Sequence, residues 1–259
     1  MSSRKTKAPA KLGRSLLLCA VLALSACASN DQVSRTGIYD PKEDANRKMH
    51  EFNKDVDRYL FSPASNGYGF LFPQPVRNSF SRFADHLSLP NDVINHTLQG
   101  DLEEAVGTTW RFLINSTVGI AGFFDPASAI DIPRDDTDFG ETLHVWGVQE
   151  GAYVELPFFG PSTSRDTVGL MADIALNPFV VIFRDPTQYI GVAAYVVDAM
   201  GNRYDFDDTI DSILYESADS YAQARILYLQ NRRFDLGISG EDIYTDPEFN
   251  PYEDPYEDF

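Results

Sequence analysis

An all-α fold is predicted for this 259-residue chain by three features. Helix-capping residues recur along it, apolar residues return at three- and four-residue intervals between the caps, and alternating strand patterns are few. Its two cysteines, Cys19 and Cys27, both stand near the start, so the body has no thiol for a disulfide, a metal or catalysis. The fold must therefore rest on packing, for which 43% hydrophobic content with 18 Phe and 13 Tyr is ample.

The first element is a leader. Arg4, Lys5, Lys7, Lys11 and Arg14 precede an apolar run from Leu16 to Leu24, which ends in Leu24-Ser25-Ala26-Cys27. A basic start, a short apolar stretch and small residues at its end make a secretory signal. The run is about half the ~20 residues that a bilayer-crossing helix requires. Cys27 after Leu-Ser-Ala resembles the bacterial lipobox, in which the thiol receives a diacylglyceryl group before cleavage. Residues 1–26 are then a signal peptide, and Cys27 is the lipid-bearing first residue of the mature chain. One acyl chain holds a protein only marginally at ~0.8 kcal/mol per buried methylene, so the several chains of the lipobox pattern are what make the anchor stable. In lipoproteins of this pattern an Asp after the cysteine retains the protein at the inner membrane. Ala28 stands there, which points to the outer membrane.

Beyond the leader, 16 basic residues face 39 acidic ones, a formal charge of −23. Such a chain repels nucleic acid and anionic headgroups. Residues 27–39 are polar and form a tether. A helix is expected from Asp40 as N-cap, with Pro41 at its first position and Glu43 completing a capping box. Ala45, Met49, Phe52 and Val56 line one stripe of it, and Asn46, Asn53 and Asp57 a polar stripe alongside. Ser62 to Pro75, with three prolines and two glycines, is expected as an ordered loop. Val76, Phe80, Phe83 and Leu87 mark a helix stopped near Pro90, followed by a short one ending at Gly100. Asp101 and Glu104 open the next through Leu113.

Phe112 to Ile130 carries a single charge, Asp125, and two glycines, Gly119 and Gly122. Broken by those glycines and Asp125-Pro126, it is expected as an apolar helical hairpin presenting Phe112, Phe123 and Phe124, in a dry core or in contact with lipid. An inserted hairpin must keep its turn at the interface or under protein cover. A substitution such as Gly119→Leu or Gly122→Leu is expected to impair lipid handling and spare the fold. Gly160-Pro161-Ser162 is expected as a turn before a helix ending at Asn177-Pro178, then an apolar helix over about 189–200. A last helix, about 30 Å long, carries Ile210, Ile213, Leu214, Ser217, Tyr221, Ala224 and Tyr228 on one face. Residues 233–259 are an acidic low-complexity tail, with Pro-Tyr-Glu-Asp repeated at 251 and 255.

Catalytic signatures fail one by one. Gly160-Pro161-Ser162-Thr163-Ser164 has Ser where a nucleophile elbow needs its second Gly. His50-Glu51 lacks a histidine at 54, so a helical zinc pair is not formed. The four histidines show no metal-ligand spacing, and no glycine-rich phosphate loop occurs. The sequence thus predicts a non-enzyme without metal or cofactor.

The remaining motifs carry a resemblance. Asp40-Pro41, Glu43, Asn46-Arg47 and Phe52-Asn53 are followed by Arg77-Asn78, Leu89-Pro90 and Leu98-Gln99-Gly100. Arg111-Phe112, Asn115, Gly119, Gly122, Asp125, Asp138-Phe139-Gly140, Leu156-Pro157, Gly160-Pro161-Ser162 and Arg165-Asp166 continue the series, and Ser217, Asp219, Tyr221, Arg225, Tyr228 and Gln230 close it. Over residues 40–232 the chain resembles the MlaA (VacJ) family of outer-membrane lipoproteins. That resemblance implies an all-helical, ring-like body lying in the outer membrane around an amphipathic passage. It implies association with trimeric porins and movement of mislocalised phospholipid from the outer leaflet to a soluble periplasmic carrier, without catalytic residues. Asn46, Arg47, Asn53, Asp57, Asn115, Arg165 and Asp166 are then candidates for the lipid path. The plainer alternatives are a solvated helix face for the first four and a structural ion pair for Arg165 and Asp166. A lipoprotein that braces a barrel protein and a lipid hydrolase are the competing functional classes.

Overall fold

A computed structural model describes residues 38–179 and 189–238. The signal segment, Cys27, most of the tether and the tail from residue 239 lie outside the described residues. The helices and strands belong to one compact unit beginning at Lys42. They are helices apart from one small hairpin, as the caps and periodicity predicted.

Helix α1 (Glu43–Val56) starts later than expected. Lys42 is its N-cap, and Glu43 binds Arg47 and Arg225 instead of closing a capping box. It runs through a π-helical turn (Asp57–Phe61) into α2 (Ser62–Leu71), so the expected loop is helical. Pro63 follows directly on the π-helical turn, whose irregular hydrogen bonding accommodates a residue with no amide to donate. Gly69 lets α2 close on a neighbour, since a Cβ would fall 2.3 Å from the Tyr204 ring.

Helix α3 (Gln74–Gln99) is continuous through Pro90, where a break was expected. The proline costs one backbone hydrogen bond. Leu89, 1% exposed, and the buried Asp92, Asn95 and His96 keep the same face packed on both sides of it. Gly100 ends the helix in the left-handed conformation (φ 88°), as predicted. Asp101 caps α4 (Leu102–Thr117) through the Glu104 amide.

After a 3-10 turn (Ser128–Ile130), α5 (Phe139–Val145) is capped by Asp138. The sequence reading missed a hairpin. Strand β1 (Tyr153–Leu156) pairs antiparallel with β2 (Gly160–Thr163), with Tyr153 opposite Thr163 and Leu156 opposite Gly160. Four-residue strands are too short to show alternation, and the turn expected at 160–162 lies at 157–159 instead. Thr163 caps α6 (Ser164–Leu176), which ends before Pro178 as expected.

Helix α7 (Ile190–Asp205) lies where an apolar helix was predicted. The long final helix is broken. A short α8 (Asp207–Asp211) passes through a second π-helical turn (Ser212–Glu216), Ser217 is extended, and Asp219 caps a new helix, α9 (Ser220–Asp235). Helix α9 carries Arg233 inside it, so the boundary expected at 233 falls within a helix. Helix α3 packs on α4, α5 and α7, α2 on α7, α5 on α6, and the hairpin lies against α1 and α9.

The interior inverts the usual arrangement. Among the described residues, 18 buried side chains are polar or charged and eight are apolar, whereas 33 large apolar side chains are exposed. Buried polar groups persist only when hydrogen-bonded, so networks hold this body together.

Candidate functional site

Four networks account for every candidate path residue except Arg47. In the first, Asn46 donates from Nδ2 to the Tyr153 carbonyl (3.1 Å) and accepts from the Glu155 amide (3.1 Å). Asn53 likewise donates to the Leu156 carbonyl (2.9 Å) and accepts from the Phe158 amide (2.9 Å). Phe158 sits at φ 68°, a strained backbone for a non-glycine residue, and Asn53 pins it. The two asparagines of the α1 polar stripe thus clamp the hairpin. Between the two asparagines His50 reaches Glu155 at 3.2 Å and Ser220 at 3.1 Å. Tyr153 also donates to Glu155 (2.5 Å). Ser, His and Glu stand here in the order of a hydrolytic triad, but the His50 and Glu155 side chains are 3% and 1% exposed, and neither described cavity touches them.

The second network joins the π-helical turns. Arg203 binds both oxygens of Asp57 and also Asp207 and Asp211, and Tyr215 donates to Asp57. In the third, Asp138 and Asp166 share Arg232, and Tyr228 donates to Asp166. Arg165, 4% exposed, bonds Asp166 and reaches His144. Gly140 and Gly169 bring α5 and α6 together, a Cβ on Gly169 falling 2.4 Å from the Gly140 nitrogen. Arg47 lies apart, bonded to Asp219 at 3.0 and 2.9 Å and stacked over Tyr221. Its hydrogen bond, with one from the Ala222 amide, holds the Asp219 carboxyl down at about 2.

The fourth network lies under the apolar segment. Arg111 binds Asp125 (2.5 Å), Ser128 (3.0 Å) and the Ile132 carbonyl (2.6 Å), and Asn115 binds Asp125 (2.9 Å) and the Ala127 amide (3.2 Å). Burial raises the Asp125 carboxyl, but hydrogen bonds from Ser128, Asn115 and Arg111 outweigh it and hold the group at about 2.

Above this knot the segment departs from the expected hairpin. Helix α4 supplies one leg only, and it leads into a turn with Ile120, Ala121 and Gly122 successively left-handed (φ 53°, 56°, 90°). A β-branched residue there is rare and strained, and such strain concentrates at functional sites. The Gly122 amide donates to the Asn115 carbonyl (2.8 Å) and the Phe124 amide to the Gly119 carbonyl (2.9 Å). Phe123 stacks on Phe83 at 4.8 Å, and His86 on Phe112 at 4.8 Å. Val118 is 71% and Ile120 63% exposed, with Phe124 exposed beside them. Leu102, Val106, Trp110 and Leu113 extend the exposed apolar stripe down α4. Gly119 and Gly122 are packing glycines, which corrects the expectation that leucine would spare the fold. A Cβ at Gly119 would stand 2.4 Å from the Phe124 carbonyl oxygen, and one at Gly122 would stand 2.3 Å from the His86 Cβ.

Sequence alone could not find the inverted interior, because the same side chains serve either a solvated or a lipid-facing surface. Among the described residues no helix is long and apolar enough to cross a membrane, and no group of three His, Cys, Asp or Glu is placed to hold a metal.

The chain is similar to known proteins in sequence and in fold. The chain is 35% identical over 251 residues to the intermembrane phospholipid transport system lipoprotein MlaA of Shigella flexneri, covering 95% of this chain and 94% of that protein. It is 34% identical to the protein of the same name in Escherichia coli K12 with the same coverage, and 34% to that of Haemophilus influenzae over 84% of this chain and 87% of that one. A structure solved as the structural basis for maintenance of bacterial outer membrane lipid asymmetry superposes with a TM-score of 0.64 at 30% identity, covering 76% of this chain and 98% of its own. The MlaA lipoprotein model matches residues 38–235, and the chain belongs to the MlaA lipoprotein family.

Proposed function

We propose that this protein is an outer-membrane lipoprotein, anchored through acyl chains on Cys27, that removes mislocalised phospholipid from the outer leaflet and passes it to a soluble periplasmic carrier. It maintains lipid asymmetry, works beside a trimeric porin, and moves its substrate without making or breaking a bond in it. The observation that carries this reading is the inversion of the body, with apolar side chains outside and hydrogen-bonded polar ones inside. A body of that kind loses free energy in water, at roughly 25 cal/mol per Å² of exposed apolar surface, and recovers it against hydrocarbon. Phospholipid needs the same two environments, apolar for its chains and polar for its head. The relatives named for intermembrane phospholipid transport support the substrate.

Surface phosphatidylethanolamine, labelled with a membrane-impermeant amine reagent in cells with and without the gene, tests the proposal. Loss of the protein is expected to raise the label, with restoration on re-expression. Equal labelling in both would refute it. Purified protein incubated with labelled phospholipid is expected to release no lysolipid or fatty acid, and release would favour the hydrolase class.

A further inference from the structure

One polar cavity lies under the strained turn. It measures about 20 Å³, and its lining includes Arg82, Asp85, His86, Arg111, Gly122 and Arg134. That volume admits a single water-sized group, the size of one phosphoryl oxygen. Of its three arginines, Arg111 is paired with Asp125, and Arg134 with Asp85 and Asp136. Arg82 is different. It is exposed, and it forms no ion pair or hydrogen bond among the described residues. In a chain with 39 acidic residues an unpaired guanidinium at a cavity is out of keeping with its surroundings.

His86 stands one turn further along the same face of α3 and is 5% exposed. Its Nε2 lies 3.0 Å from the Ser116 hydroxyl, whereas its Nδ1 is buried without a partner. In the tautomer that leaves Nε2 unprotonated, the Ser116 hydroxyl donates to Nε2. The proton of the neutral ring then sits on Nδ1, a buried donor lacking an acceptor. Such an atom costs free energy until an acceptor arrives. Burial, and then the charge of Arg111, lower the His86 pKa and keep the ring neutral. The exposed side chains of Val118, Ile120 and Phe124 flank Gly122 at the cavity wall.

We propose that Arg82 and His86 form a phosphate-ester site, in which a phospholipid phosphate takes hydrogen bonds from the Arg82 guanidinium and His86 Nδ1 while its acyl chains lie along Val118, Ile120 and Phe124. The site rests on the phospholipid-transport reading and names where the headgroup is first held. Anionic oxygens favour the planar guanidinium, and the adjacent apolar turn separates a lipid ester from free phosphate.

The test is calorimetry on the full-length lipidated protein in detergent, with three probes: a short-chain phosphatidylglycerol, a diacylglycerol of equal chain length, and inorganic phosphate. The phospholipid is expected to bind at least tenfold more tightly than either other probe. Arg82→Gln, at an exposed position, is expected to weaken it about tenfold and leave diacylglycerol binding and the thermal midpoint unchanged. Lys48→Gln, which removes an exposed charge on α1, is expected to change nothing. Undiminished phospholipid binding by Arg82→Gln, an equal loss in Lys48→Gln, or inorganic phosphate binding as tightly as the lipid would each overturn the site. A wild-type protein that binds no phospholipid overturns the transport reading with it, whereas wild-type binding that Arg82→Gln leaves intact overturns the site alone.

Discussion

Arg203 and Asp57 face each other in a two-point ion pair, with Nε and Nη2 donating to the two carboxylate oxygens at 2.9 and 3.0 Å. The pair joins α7 to the π-helical turn after α1, and Asp207 and Asp211 complete a set of three carboxylates around one buried guanidinium. Removing one partner of a buried pair costs about 3–5 kcal/mol because the remaining charge is left unpaired. Arg203→Met, which strands three carboxylates, is expected to lower stability by about 3 kcal/mol, read as a fall in the denaturation midpoint. Asp57→Asn leaves Arg203 two carboxylates and is expected to cost about 1 kcal/mol. Equal costs for the two variants would show that the set is not centred on Arg203.

Substitutions in the turn after α4 can tell packing apart from membrane contact. Gly119→Leu and Gly122→Leu drive a side chain into the Phe124 carbonyl and into His86 respectively, and overpacking of this kind costs about 1–3 kcal/mol or more. Both are expected to lower the thermal midpoint. Ile120→Ser and Phe124→Ser touch exposed side chains. Neither is expected to lower the midpoint, and each is expected to weaken binding to phospholipid vesicles by about 1.5–3 kcal/mol, the value of burying one such side chain. Vesicle flotation that is unchanged in both serine variants would remove the turn from the membrane-facing surface.

The sequence made the helices legible where a cap and a stripe coincided, as at Asp101, and lost them where tertiary packing overrode a local signal. Pro90 signalled a stop, yet the face carrying Leu89, Asp92 and Asn95 continues across it because α4, α5 and α7 pack there. Ser217 left no local sign that it breaks the last helix. The candidate path residues were found by type and not by role. Asn46, Asn53, Asp57 and Asn115 are polar in a helical pattern, but their partners lie 10 to more than 100 residues away, beyond the reach of periodicity, whereas the ion pair between Arg165 and Asp166 is local and is the plainer of the two readings the sequence offers for them. The unpartnered Nδ1 of His86 has no sequence signature at all.

Asp92 sets an opposite pH dependence to Asp125 and Asp219. It is 4% exposed in α3, and burial raises its carboxyl to about 7 despite the nearby Arg134. The folded chain therefore holds a proton that the unfolded chain releases near 3.8, so stability falls as pH rises from about 4 to 7 and levels off above. Asp125 and Asp219, held at about 2, contribute stability above 3.8 that is lost as pH falls toward 2. Asp92→Asn can keep the Ser88 contact and removes the charge. It is expected to raise stability at pH 8 by up to a few kcal/mol, read as a higher denaturation midpoint, and to have little effect at pH 4. An identical gain at both pH values would show that Asp92 is not the titrating group.

Asn46 distinguishes a clamp from a lipid path. Its carboxamide satisfies one backbone carbonyl and one backbone amide of β1, at Tyr153 and Glu155, both buried. Asn46→Ala deletes both of these hydrogen bonds, and each buried group that loses one costs about 1–3 kcal/mol. A loss of about 2–4 kcal/mol is expected. Asn46→Asp still accepts from the Glu155 amide but presents an oxygen to the Tyr153 carbonyl, so it is expected to be at least as damaging. A headgroup-binding residue would behave differently, because its loss would weaken phospholipid binding while leaving the denaturation midpoint in place. Measured together on Asn46→Ala, a lowered midpoint assigns the stripe to the hairpin clamp, and an unchanged midpoint with weakened phospholipid binding returns it to the path.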